Sequence, residues 1–215
     1  MNAVTRRRRT LVGVASTLAV LLGLAAFGAL TYARAGGDKA TTPMYADYLT
    51  YESLTALVDN APLIVRGTVS GIAPATRVIP TSVTVDQLPP HKATNIGYLT
   101  TDVTITVEQV LAGASDLVGT NIVVIHLGGE TATQQSLAEG QPLSQRGRQY
   151  VFFLRPAPDG RYIIVDGPQG RYTVQNGKLA VVDAAVKQLP VARQLDGLDL
   201  PTVADRIKGA KGGKP

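Results

Sequence analysis

His91 and His126 are the only imidazoles in the 215 residues, so any metal or general-base chemistry has to be built around them. A hydrolytic metal centre usually takes three protein ligands from His, Asp or Glu and keeps a fourth position open. His126 stands at the end of the apolar run "NIVVIHL" (121–127), Glu130 follows four residues later, and His91 lies in the long stretch 73–97 as Pro90-His91-Lys92. Were the loops to meet, His91, His126 and Glu130 would supply those ligands, and a metal-dependent hydrolase is one reading. No helical His-x-x-x-His or comparable spacing supports it. A strand-end or surface histidine is the plainer expectation for each, with no metal and no cofactor.

Other chemistries find less to work with. Gly-x-Ser-x-Gly is absent, and Gly113-Ala114-Ser115 reads as a turn after a strand rather than a nucleophile elbow. Gly128-Gly129 permits a sharp turn or close approach to a ligand, but no helix follows at once to cradle a phosphate. Asp59, Asp102 and Glu108 read as cap and solvent-face acids, with no carboxylate pair converging for acid–base work. No catalytic residue is assigned. The expected contact residues are loop residues: His91, Lys92, Gly128, Gly129 and Glu130.

The most conspicuous motif is Gly-Arg-Tyr, which occurs at 160–162 and again at 170–172. Strand register tests whether it is a repeated reader. Asn176-Gly177 signals a type I′ hairpin, which needs positive φ at both central residues, and pairs Tyr172 with Val181. An even-length turn at Gly167-Pro168-Gln169-Gly170 then pairs Asp166 with Arg171 and Val165 with Tyr172. Cross-strand partners share a face. Tyr172 falls on a core face of this three-stranded meander, Tyr162 on the other, and Asp166 opposite Arg171 is a surface pair. Two copies of a reader would present their aromatic groups alike, so the repeat is expected to be strand punctuation.

The elements that position these residues are mostly strands. "LTYESLTALVDNAP" (49–62) predicts a short helix capped by Thr50, with Leu54, Leu57 and Val58 on one face. The period then changes to two. Leu63, Val65 and Val69 share a face of 63–72. Val103, Ile105 and Val107 share one of 99–111. Residues 121–127 are apolar on both faces and predict a central strand; "QYVFFLR" (149–155) predicts another, and "KLAVV" (178–182) the last. Loops 73–97 and 128–148 are long, a length usually reserved for functional or mobile segments. "DLPTVADRIKG" predicts a second short helix stopped by Gly209. Strands in this number with short helices mean a small antiparallel β-barrel, OB-like, or a sandwich.

Before it stands one N-terminal transmembrane or signal helix. Arg6 to Arg9 precede the uncharged stretch Leu11 to Tyr32, which spans roughly 33 Å at about 1.5 Å per residue, enough for a hydrocarbon core. The arginines hold the N-terminus inside, and the remainder is exported. Ala33-Arg34-Ala35 offers a signal-peptidase site, so the chain is either a single-pass membrane protein or secreted after cleavage at Ala35. Arg8-Arg9-Thr10-Leu11-Val12 loosely fits a twin-arginine signal as well. The expected organisation is the targeting segment 1–35, a spacer 36–48, a β-barrel domain 49–208, and a disordered basic tail 209–215.

Charge and cysteine content exclude whole classes. The net charge is +5 from 21 Lys+Arg against 16 Asp+Glu, and Arg6 to Arg9 with Arg34 carry all five excess charges. The exported part is formally neutral, so no nucleic-acid partner is expected. With no cysteine at all, disulfides, thiolate metal sites and a lipid-modified cysteine are ruled out.

The order of elements "ALVDNAPLIVRGTVSGI", "TDVTITVEQVLAG", "GTNIVVIHLGG" and "GRQYVFFLRPAPDGRYIIVDGPQGRYTV" resembles a group of exported bacterial proteins of unknown function. Their skeleton is VxGxV, VxxVLxG, GG and YxxFL, and the likeness spans residues 50–182. Their barrel is similar to the OB-type fold of netrin and tissue-metalloproteinase-inhibitor domains. Those inhibitors act through an amino-terminal cysteine, which this chain lacks, so the resemblance implies a five-stranded barrel and nothing catalytic. The leading expectation is a non-enzymatic domain that binds an envelope or extracellular partner through its loops. A structural envelope protein and the hydrolase are the alternatives.

Overall fold

Period-two alternation over residues 63–164 closes five strands into a barrel. The computed structural model describes residues 40–44, 50–79, 97–138 and 141–212. The targeting segment, His91 and Lys92 lie outside them. In chain order the strands are β1 (Ala40–Met44), β2 (Leu63–Ile72), β3 (Thr76–Val78), β4 (Tyr98–Ala112), β5 (Asn121–Glu130), β6 (Gln134–Ala138), β7 (Gln149–Pro156), β8 (Tyr162–Ile164), β9 (Arg171–Gln175) and β10 (Lys178–Val181). Three α-helices accompany them among the described residues: α1 (Leu54–Asp59), α2 (Pro190–Leu195) and α3 (Leu200–Gly212). Among the described residues no helix is long and apolar enough to cross a membrane.

The ring runs β2-β4-β5-β8-β7 and back to β2. All neighbours are antiparallel except β5 and β8, which run parallel and close the barrel through Val124–Tyr162 and Ile125–Ile163. The register of β2 on β4 slips at Ile64/Val65, Arg66/Gly67 and Val69/Gly71; such bulges increase the local twist and let a strand coil around a small barrel. At the second slip only glycine fits, because a Cβ on Gly67 would lie 2.6 Å from both Ile105 Cγ2 and Thr106 O.

Two cores share the β2 and β7 wall. Val65, Ile105, Val124, Phe152 and Leu154 fill the barrel. Ile64, Val151, Phe153 and Tyr172 point outward into a second core made with Leu57, Val191, Leu195, Val203 and Ile207 of the helices. This double duty explains why "QYVFFLR" is apolar on both faces. Each fully buried Leu, Ile or Phe contributes about 1.5–3 kcal/mol, so a cysteine-free domain has two sources of cohesion. α1 is capped by Ser53, whose Oγ accepts from the Ala56 amide at 3.2 Å; the expected cap, Thr50, stands outside the helix. α3 continues through Gly209 to Gly212, so neither the stop at Gly209 nor a disordered tail from that residue holds. The helix α2 was not foreseen.

The hairpin at Asn176-Gly177 is as expected: φ is 51° and 75° at the two residues, and Tyr172 pairs with Val181. The meander before it is not. β8 pairs with β5 and β7, and β9 with β7 and β10. β8 and β9 therefore lie end to end along one edge of β7. Phe153 receives the Val165 amide on its carbonyl (2.9 Å) and donates its own amide to Gly170 (2.8 Å). Residues 166–169 are an excursion out of one interrupted strand rather than a reversal. Gly170 is where the chain re-enters, and a Cβ there would sit 1.9 Å from the Val165 carbonyl oxygen.

Candidate functional site

That corrected register puts Arg171 inside the barrel. It pairs with Phe152, which faces the barrel core, and partners share a face. Arg171 is 1 % exposed, where a surface pair with Asp166 was expected. His126 follows Ile122 and Val124 on the inward face of β5 and is equally buried, so the expectation of a strand-end or surface histidine fails for it too. The two meet: Arg171 Nη1 donates to His126 Nε2 (2.5 Å) and to Ser144 Oγ (2.6 Å), while Nη2 donates to the Pro142 carbonyl. The guanidinium also lies 5.5 Å from the centre of the Tyr150 ring, a favourable cation–π arrangement.

The tautomer of His126 follows from these partners. Nδ1 lies 3.0 Å from the Leu127 carbonyl, which can only accept, so Nδ1 carries the proton. Nε2 spends its lone pair on Arg171, which can only donate. Burial and then the Arg171 charge push the His126 pKa down to about 3, so the ring is neutral at physiological pH. With both nitrogens engaged it has no lone pair for a metal. Glu130 is exposed at the far end of β5, and His91 lies outside the described residues. Among the described residues no group of three His, Asp or Glu could hold a metal ion.

Gly128 and Gly129 are not in a loop. They continue β5, at φ 90° and 152°, past β4 to pair with Leu137 and Ser136 of β6. The neighbours they approach closely are protein: a Cβ on Gly129 would lie 2.1 Å from Thr101 Oγ1, and one on Gly128 2.6 Å from the Ser136 carbonyl. Much of the loop 128–148 is likewise tied down, by β6, by Arg171 on Pro142 and Ser144, and by the Gln145 amide on the Tyr150 hydroxyl (3.0 Å).

A concave feature lies on the other side of β5. Its odd residues point out of the barrel, and register extends that face across four further strands. Val78 pairs with Tyr98, Thr100 with Leu127, Ile125 with Ile163, and Ile163 with Arg155. These residues line a cleft of about 670 Å³, within the usual range for a small-molecule site. Ile125, Leu127 and Ile163 make an apolar floor. Polar groups stand around it: Tyr51, Tyr98, Gln141, Arg155, Arg161 and Asp166.

Several of these are held in place. Arg161 bridges two acids, with Nη2 on Asp159 (2.5 Å) and Nη1 on Asp102 (2.7 Å), and its hydrogen bond holds the Asp159 carboxyl below the usual carboxylate range. Gln169, fully buried, clamps Tyr51 by accepting from its amide (2.8 Å) and donating to its carbonyl (3.2 Å). Asp166 begins the excursion with φ 51°. Its Oδ1 is buried with no hydrogen-bond partner, and burial pushes its pKa up to about 7. Arg155 is exposed and makes no salt bridge to a described residue.

Sequence reasoning missed this cleft, yet one signal pointed to it. "NIVVIHL" is apolar on both faces, but only the barrel face is fully buried; Val123, Ile125 and Leu127 stay half-buried. Comparison with models of known protein families gives no match, and neither does comparison with curated protein sequences.

Proposed function

We propose that this chain is a non-enzymatic binding domain, exported or tethered outside the cytoplasmic membrane, that receives its ligand in the cleft on the outer face of β4, β5 and β8. The observation that carries the reading is the cleft itself: an apolar floor of half-buried side chains, ringed by polar groups of which Tyr51 and Arg161 are held in place, the usual make-up of a ligand site. The barrel supports it as well. Numbered within the ring, its strand order is 1-2-3-5-4-1. We read that as the OB type, whose second and third strands carry ligands on their outer face, here β4 and β5. The expected resemblance to exported OB-type proteins is retained on the same grounds.

Binding rather than turnover is favoured because, among the described residues, no nucleophile is paired with a base in the cleft, and His126 faces the barrel interior. The test is a thermal-shift screen of the full chain in mild detergent against amino acids, short peptides, sugars and phosphate esters. At least one class should raise the melting temperature saturably. Ile125→Arg, which fills the floor, should abolish that shift while leaving the unliganded melting temperature within a few degrees. A shift that survives Ile125→Arg, or turnover of an ester, peptide or glycoside substrate abolished by one point change in the cleft, overturns the reading. Export is checked separately by protease accessibility of a C-terminal tag in intact cells.

A further inference from the structure

The polar groups of the cleft are not an arbitrary mixture. Asp166 and Arg155 are opposite charges on one rim, and no ion pair joins them. Burial alone accounts for the perturbed Asp166 carboxyl, with no cation contributing. Tyr51 stands within the field of both: after burial, the Asp166 charge raises its pKa and the Arg155 charge lowers it. All three residues line the cleft, and the backbone of Tyr51 is clamped by Gln169.

The inner side of the carboxyl offers no compensation. Asp166 Oδ1 has no donor, and the neighbouring Tyr172 hydroxyl is also buried without a partner. A half-buried carboxylate is stabilised by a cation, and Asp166 is among the residues that line the cleft. Arg155, exposed and in no ion pair with a described residue, offers the complementary fork for an oxyanion. Two separated groups of opposite charge, not paired with each other, recognise a dipole better than a neutral glycan, which needs hydroxyl partners, or a polyanion, which Asp166 disfavours.

We infer that the cleft binds a zwitterion, a primary ammonium against Asp166 and a carboxylate or phosphate against Arg155, with Tyr51 lining the same cleft and the ligand's apolar part on Ile125 and Leu127. This rests on the cleft being the binding site. An amino acid, a short peptide with free ends and an ethanolamine phosphate share that chemistry.

Ligand-observed NMR and calorimetry on the full chain in detergent separate the cases. The probes are alanine, Ala-Ala, N-acetylalanine, alaninamide and phosphoethanolamine. At least one of alanine, Ala-Ala and phosphoethanolamine should bind saturably. If alanine or Ala-Ala is the ligand, each singly capped analogue should bind at least tenfold more weakly; binding by phosphoethanolamine alone would assign the oxyanion as phosphate. Asp166→Asn keeps the shape and suits the left-handed backbone. It should cost the zwitterion at least tenfold and remove the preference for a free ammonium. Arg155→Gln should remove the preference for the oxyanion. Equal binding of capped and uncapped probes, or unchanged affinity in Asp166→Asn, refutes the zwitterion. A neutral ligand that binds and is lost in Ile125→Arg refutes the zwitterion but leaves the cleft standing; no ligand of any class sinks both.

Discussion

Arg171→Met tests the interior of the barrel. The substitution keeps the length of the side chain but removes the three donors that hold His126 Nε2, Ser144 Oγ and the Pro142 carbonyl. A buried acceptor left without a donor costs about 1–3 kcal/mol. Three of them set an upper figure of about 9 kcal/mol before the loss of the cation over Tyr150 is added. Against this, the buried guanidinium carries a desolvation cost of several kcal/mol, visible in its pKa, which burial lowers to about 10. The net expectation is destabilisation by about 2–4 kcal/mol, within the range for a broken buried network. Urea unfolding followed by near-ultraviolet tyrosine dichroism reads it, since the chain has eight Tyr and no Trp; the slope should stay unchanged while the midpoint falls. Hydrogen exchange at the Gln145 amide, held by Tyr150, should accelerate as loop 141–148 loosens. Replacing the acceptor too, in His126→Leu with Arg171→Met, should cost less than the sum of the single changes by about 1–2 kcal/mol. A loss under about 0.5 kcal/mol for Arg171→Met, or strict additivity in the pair, would show that the network does not hold the barrel end.

Other predictions follow from the same geometry. His126 has its folded pKa depressed to about 3 against 6.5 unfolded, so its contribution is present above about pH 6.5 and is lost as pH falls towards 3. His126→Gln, which still offers Arg171 an acceptor, should flatten that acid limb of a melting-temperature profile; an unchanged limb contradicts the assignment. Asp166 has the opposite sign: its carboxyl is raised from 3.8 to about 7, so stability is greatest below pH 4 and declines as pH rises through 7. Asp166→Asn should therefore stabilise more at pH 8 than at pH 4, and an equal gain at both would mean that only backbone preference was improved. Gly170→Ala, whose methyl meets the Val165 carbonyl at 1.9 Å, should destabilise by at least about 2 kcal/mol, whereas Gly160→Ala, in open space at φ 82°, should cost only about 1 kcal/mol in backbone strain; similar losses at the two would contradict the interrupted-strand geometry.

Much of the barrel was legible because period-two alternation is local. Val103, Ile105 and Val107 announce a buried face whatever lies beside them, and Asn176-Gly177 announces its own turn and register. What failed was pairing at a distance. Nothing within Tyr162 to Arg171 says whether the turn between them reverses the chain or bulges from a strand that continues; the decision belongs to β7, whose Phe153 takes Val165 on one side and Gly170 on the other. That choice moved Arg171 from the surface to the barrel interior and separated it from Asp166. The side-chain partner of His126 was illegible for the same reason, since Arg171 stands 45 positions away.

The Gly-Arg-Tyr repeat shows how one local motif can carry two physical roles. The first copy precedes β8, where the outward register of Ile163 sends Arg161 to the cleft, and two carboxylates at Asp102 and Asp159 hold it there. The second opens β9, where the Phe152 partner sends Arg171 inward to neutral acceptors only. Both arginines remain cations, yet one lies in a field set by acids and water and the other in one set by an imidazole, a hydroxyl and a carbonyl. Exchange to lysine separates them. At 161 a compact ammonium can still reach one of its acids, and an exposed pair contributes little to stability. At 171 it cannot span His126, Ser144 and Pro142 at once, because the forked geometry is what serves them together. Arg171→Lys should therefore destabilise nearly as much as Arg171→Met, and Arg161→Lys hardly at all. Equal effects at the two sites would mean that charge, and not the fork, is what the barrel interior requires.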